Sequence, residues 1–172
     1  MFENVRRVVT VIDDNGVSRF ESDGAPPVSR RLQNAGANID EVWRFDAVPG
    51  DITAPGDPEE FSFLSPANGL LVRRVEVPPD ATRFRDETGA SRTPEPHEGM
   101  HQTATIDILQ ILEGELWCLL DSGEETCLRA GDVIVQRGTV HAWRNRSDQV
   151  TRYLAIMVTA PLPHPIEHHA NP

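Results

Sequence analysis

The chain contains no lysine: all sixteen of its basic residues are arginine. That absence excludes chemistry built on a lysine amine, including Schiff bases, a pyridoxal-phosphate linkage and a phosphate-loop lysine. Basic residues are also outnumbered by acidic ones, 16 to 27, for a formal charge of −11. Such a balance argues against nucleic acid or anionic membrane as a main partner, because both need a basic surface. Cysteine is scarce, and Cys118 and Cys127 alone are too few for a disulfide framework or a structural zinc site. No apolar run approaches the length of a membrane span. The opening MFENVRRVVT carries no stretch of signal-peptide length. The expectation is a cytoplasmic protein.

What the chain has in quantity is punctuation. Fourteen prolines and twelve glycines divide its 172 residues, and no stretch sustains helical periodicity. Short runs rich in Val, Ile, Leu and Trp recur between the breaks. They predict strands at 7–12, 17–21, 41–45, 69–77, 105–112, 115–121, 124–129, 132–136, 141–145 and 151–159. Many short strands with regular turns argue an all-β sandwich or barrel. Residues 28–40 admit a helix. By composition the chain divides into scattered strands and a Pro-rich acidic connector at 1–65, a denser strand region at 66–160, and a tail at 161–172.

The DSGE stretch at 121–124 reads as a tight hairpin turn with Ser122-Gly123 at its tip. That register sets Asp121 opposite Glu124 and Cys118 opposite Cys127, with Cα atoms within about 4.5–5.5 Å. Such a pair can come close enough to bridge, whereas in a reducing compartment it stays as two partly buried thiols.

Two segments carry candidate chemistry. The first runs from His101 through Thr103 and Thr105 to Asp107; the second is GDVIVQRGTVHAWRN, from Gly131 to Asn145. Alternate residues of a strand share a face, so His101, Thr103, Thr105 and Asp107 are predicted to project together, as are His141, Trp143 and Asn145. If the two strands are neighbours, two imidazoles and a carboxylate converge. Those are ligand types for iron, manganese, nickel or zinc. The same groups can instead transfer protons without a metal. In LLVRRVEV, Arg73 shares the apolar face of Leu71, Val75 and Val77. It could clamp a substrate carboxylate or enolate oxygen, or form an internal ion pair. Trp143 is read as a pocket wall, a core residue, or both. His97 is a loop residue that could supply a further ligand if its segment curled inward, whereas His164, His168 and His169 stand in the tail.

These segments resemble the two motifs of the cupin superfamily, G-x5-H-x-H-x3/4-E-x6-G and G-x5-P-x-G-x2-H-x3-N. His101 falls on the first histidine, Thr103 on the second, Asp107 on the glutamate and Gly114 on the closing glycine. Gly131, Gly138, His141 and Asn145 match the second motif, while Gln136-Arg137 stands where the family has proline. Sixteen residues separate the motifs, close to the short bacterial arrangement. The resemblance implies an antiparallel jelly-roll β-barrel over 66–160 with an N-terminal strand extension. It implies a small-molecule enzyme: a lyase or dehydratase, decarboxylase, isomerase or dioxygenase. Its catalytic residues would be His101, Thr103, Asp107 and His141, and its substrate contacts Arg73, Thr105 and Trp143. Any divalent metal would sit on His101, Asp107 and His141. A non-catalytic ligand-binding barrel is the alternative. Ile106, Ile108 and Leu112 make the opposite face of that strand apolar as well, so it needs cover from the N-terminal strands or a second subunit. The resemblance favours a homodimer.

Overall fold

Strict alternation sets the architecture, and it is clearest in the strand that carries Asp107. From Thr105 to Ile111 the odd-numbered residues are buried, while Ile106, Ile108 and Leu112 remain exposed. The structure, a computed structural model, describes residues 5–32, 36–57 and 60–162. Its elements in chain order are β1 (Arg7–Ile12), β2 (Ser18–Gly24), β3 (Ser29–Arg31), β4 (Asn38–Phe45), β5 (Leu70–Val77), α1 (Asp80–Arg83) and β6 (Thr105–Glu113). There follow β7 (Glu115–Leu120), β8 (Glu125–Arg129), β9 (Val133–Arg137), β10 (His141–Arg144) and β11 (Thr151–Thr159).

The strands form a six-stranded sheet ordered β3-β4-β5-β11-β6-β9, a three-stranded sheet ordered β10-β7-β8, and the separate β1-β2 hairpin. Every strand pairing is antiparallel. The expected all-β jelly roll is the fold observed. Ile39, Val75, Val77, Leu109 and Ile111 of the large sheet pack with Leu116 and Leu128 of the small one. One end of the interior is therefore apolar, and the polar inward side chains collect towards the other. Gly114 joins β6 to β7 at φ +79°, and a Cβ there would lie 2.8 Å from Thr151 Oγ1. The turn thus admits only glycine without displacing β11.

Residues 28–40 contain strand rather than helix. Ser29 pairs with Asp40, and the Ser29 hydroxyl donates to Asp40 Oδ1 at 2.6 Å. The buried Ile39 fixes β4 in the sheet, and β3 adds to its free edge, so tertiary pairing overrides a weak helical tendency. The 33–35 part of that stretch lies outside the described residues, as does most of the tail.

The hairpin register differs from expectation by one residue. Leu120 N–H donates to Glu124 O at 2.9 Å, and Gly123 N–H to Leu120 O at 3.0 Å. Asp121, Ser122 and Gly123 therefore form a three-residue loop, with Gly123 at φ +88° in its last position. Cys127 consequently faces Trp117, and Cys118 faces Thr126. A one-residue slip moves a side chain to the other face of its sheet. Cys118 is buried, Cys127 is half-buried, and both are free thiols.

Asn145 fastens β10 to the end of β5. Its side-chain amide donates to Val77 O at 2.8 Å and to Gln149 O at 2.7 Å, and its backbone N–H donates to Asp80 Oδ1 at 3.0 Å. This clamp holds the strand that carries His141.

Candidate functional site

His101 and His141 meet through their backbones first. His101 lies ahead of β6, and an isolated antiparallel bridge joins it to His141 with N–H···O distances of 2.9 and 3.0 Å. Continuous strand alternation from 101 to 107 is therefore replaced by a bridge, a short irregular segment, and β6 beginning at Thr105. The juxtaposition survives: the two imidazole centroids are 4.3 Å apart. His101 Nδ1 lies 3.0 Å from Gly99 O, and His141 Nδ1 lies 2.9 Å from Thr139 O. A proton on each Nδ1 directed at its carbonyl leaves each Nε2 with a lone pair. His141 is only 2% exposed. Burial, and then the neighbouring His101, pull its pKa down to about 4, with the Thr139 hydrogen bond opposing them. His141 is thus neutral at pH 7.

Gln136 is the residue that sequence reasoning missed. Its Nε2 donates to Thr139 O at 2.6 Å and lies 2.9 Å from His141 Nδ1, while its Oε1 accepts from Gly138 N–H at 3.3 Å. It also sits opposite Asp107 across the β6–β9 ladder. The one signal was that Gln136-Arg137 occupies the place of the second motif's proline. Gln136 and Thr139 line a cleft of about 590 Å3 that also includes Cys118, Leu120 and Ile134.

Asp107 points inward and is 6% exposed, and its Oδ1 is buried without a hydrogen-bond partner. Burial raises its pKa; the Thr105 hydroxyl, His101, Arg73 and the Thr103 hydroxyl act in the opposite direction. Thr105 donates to Thr103 Oγ1 at 2.8 Å, so both predicted threonines stand beside the carboxylate. A partly desolvated carboxyl with a free oxygen can accept or deliver a proton.

Arg73 lies on the same interior face but is committed to a partner. Its Nη2 and Nε donate to Glu41 Oε1 at 2.7 and 2.9 Å, with the two side chains 4% and 1% exposed. It also donates to the carbonyls of Ser62 and Phe63. The internal ion pair is thus the arrangement found. Trp143 packs edge-on against His141 at 5.1 Å between centroids and touches the core beside Tyr153. His97 is exposed in a turn, away from any ligand cluster.

Among the described residues no group of three His, Cys, Asp or Glu side chains is placed to hold a metal ion. His101 and His141 fit as two nitrogen donors, but Asp107 is not gathered with them as the third. The predicted three-ligand set is therefore not assembled.

No family model matches the chain. It is 32% identical over 148 residues to the Phomopsin biosynthesis cluster protein C' of Diaporthe leptostromiformis, covering 82% of this chain and 70% of that protein. It is 40% identical over 141 residues to the Cupin-domain-containing oxidoreductase fogC of Aspergillus ruber, covering 82% of this chain and 64% of that one. Among solved structures, the Schizosaccharomyces pombe Cnp3 cupin domain superposes with a TM-score of 0.50 at 13% identity, covering 92% of this chain and 89% of that chain. That last likeness concerns the fold alone. The sequence relatives are fungal, so the bacterial motif spacing gains no support from them.

Proposed function

The chain belongs to the cupin superfamily, and from that premise we propose that it is an enzyme of small-molecule metabolism that moves protons at the polar end of its barrel. The observation that carries the proposal is Asp107: a buried carboxyl with one oxygen unpartnered, next to Thr103 and Thr105, and opposite Gln136 in the β6–β9 ladder. Asp107 takes a proton from the substrate carbon beside the carbonyl, and that proton exchanges with solvent. Asp107 then returns one either to the neighbouring carbon or oxygen, which completes an isomerisation, or to the departing hydroxyl, which leaves as water. His141, held neutral, and the more exposed His101 accept hydrogen bonds from the substrate at Nε2. Isomerisation or dehydration beside a carbonyl matches this set of groups. Arg73 orders the interior through Glu41, and Trp143 walls the site.

The test is solvent exchange. The protein is incubated in D2O with a panel of small hydroxy-ketones and β-keto acids, and carbon-bound deuterium is followed by NMR. At least one compound should exchange, and Asp107→Asn should slow that exchange about 100-fold or more. Exchange that is absent for the whole panel, or indifferent to Asp107→Asn, would overturn the reading.

A second reading is favoured by the two Nδ1–carbonyl contacts, which resemble the outer hydrogen bonds that orient metal-binding histidines. In it His101 and His141 hold iron, manganese, nickel or zinc, with Asp107 acting through water, and the relatives named as oxidoreductases fit it. Elemental analysis separates the two: a stoichiometric metal lost in His141→Ala supports it. No helix among the described residues is long and apolar enough to cross a membrane, and both thiols are free. Those facts accord with the cytoplasmic setting we infer. The outward apolar face of β6, β9 and β11 supports a homodimer.

A further inference from the structure

We propose that the cleft between residues 91–96 and the outer face of β7 and β10 binds an anionic group, a carboxylate or phosphate on a small molecule, with Arg144 as its main contact. The cleft has a volume of about 520 Å3, and Arg92, Arg144 and Arg146 line it together with the carboxylates Asp80 and Glu95. Three guanidinium groups converge on the Phe84 ring: Arg83 at 5.1 Å, Arg144 at 5.2 Å and Arg92 at 5.8 Å from its centroid. In a chain with a formal charge of −11, such a gathering of like charge needs a reason.

Carboxylates answer most of it. Arg83 pairs with Asp80 at 3.2 Å, Arg92 holds Glu98 bidentately at 2.9 and 2.7 Å, and Arg146 holds Glu125 at 2.8 and 2.7 Å. Arg144 is the exception. It is 3% exposed, yet among the described residues it makes no salt bridge; its guanidinium donates only to the carbonyls of Trp143 and Glu98. Burial lowers its pKa, with Asp80 and Glu98 acting against that and Arg146 adding to it. Of the two carboxylates lining the cleft, Asp80 pairs with Arg83, and Glu95 makes no salt bridge among the described residues. A buried arginine that makes no salt bridge, with two further guanidinium groups beside a cleft of ligand size, leaves positive charge for a bound anion to answer.

The cleft is separate from the barrel site, because His141 and Trp143 lie on the inner face of β10 and Arg144 on the outer. The two are nevertheless joined by one turn. Arg144 holds Glu98 O, and the next carbonyl, Gly99 O, holds His101 Nδ1. An anion that draws Arg144 towards itself loosens the segment that orients His101, so occupancy of the cleft should also shift the His101 imidazole resonances.

The test is calorimetric titration of the full chain with inorganic phosphate, and separately with citrate and acetate, at low chloride. At least one of the three should bind saturably, and the preference between phosphate and the carboxylates identifies the group. Arg144→Met should weaken binding about tenfold or more. Thr93→Glu, which leaves Arg144 in place and puts a carboxylate in the cleft, should weaken it equally and decides the matter if Arg144→Met does not fold. The proposal fails if none of the anions binds at millimolar concentration, or if Arg144→Met and Thr93→Glu both bind normally.

Discussion

Replacing Glu41 by glutamine removes the negative half of the buried pair that fills the barrel beside Asp107. Glu41 and Arg73 are 1% and 4% exposed, and Glu41 Oε1 accepts two guanidinium hydrogen bonds of 2.7 and 2.9 Å. The amide keeps the shape but not the charge, and its NH2 would oppose a donor. Breaking a buried pair from one side costs about 3–5 kcal/mol, because the remaining charge is left uncompensated. For a chain of this size each kcal/mol moves the melting midpoint by roughly 2–4 °C, so the expected fall is about 6–20 °C. The carbonyls of Ser62 and Phe63 and the ring of Phe61, 5.2 Å from the guanidinium, retain part of the solvation and favour the lower half of that range. Calorimetry or circular dichroism at pH 7 reads the shift. The double variant Glu41→Leu/Arg73→Met should recover most of it, since two apolar side chains leave no charge behind. A midpoint within about 2 °C of wild type for Glu41→Gln alone would refute the reasoning, because it would mean that water or another group already compensates Arg73.

Three further outcomes follow from particular side chains. His141 has a folded pKa of about 4 against an ordinary 6.5. Between those values the unfolded chain binds a proton that the folded one refuses, so stability should fall as pH falls through that window. The full effect is about 3 kcal/mol in urea titrations of the metal-free protein, and His141→Asn should flatten it. Cys118 is 3% exposed with its thiol pushed up to about 11, whereas Cys127 is half-buried. A thiol reagent should therefore label Cys127 well before Cys118, and non-reducing mass analysis should show no internal disulfide. Ile108 is flanked on the outer face by Val135 and Ile156; Ile108→Arg should convert a dimer to a monomer by light scattering, and a wild type already monomeric at micromolar concentration would remove the inferred dimer.

Legibility in the sequence followed the range of the interaction. The strand Thr151–Thr159 and the alternation of β6 were readable because each depends on period-two burial within one segment. The 121–124 turn was readable as a turn, but loops of two and of three residues both accommodate DSGE. The choice rests on Gly123 taking φ +88° in the third loop position, which sets the face of every residue behind it. His101 and His141 were paired correctly by motif, although what joins them is a backbone bridge and not the strand alternation invoked for it.

The pairings that decide chemistry were the least readable. Glu41 precedes Arg73 by 32 residues, and Arg144 meets a carbonyl 46 residues before it. Asp107 and Glu41 show the consequence. Both are acids facing the barrel interior, and neither strand's sequence distinguishes them. Glu41 stands opposite Arg73 in the β4–β5 ladder and spends its charge there. Asp107 stands opposite Gln136 and Met157, neither of which carries charge, and keeps an unpartnered oxygen with a raised pKa. A motif assigns an acid to a place on the barrel; the residue across the ladder determines whether that acid is structural or free to react.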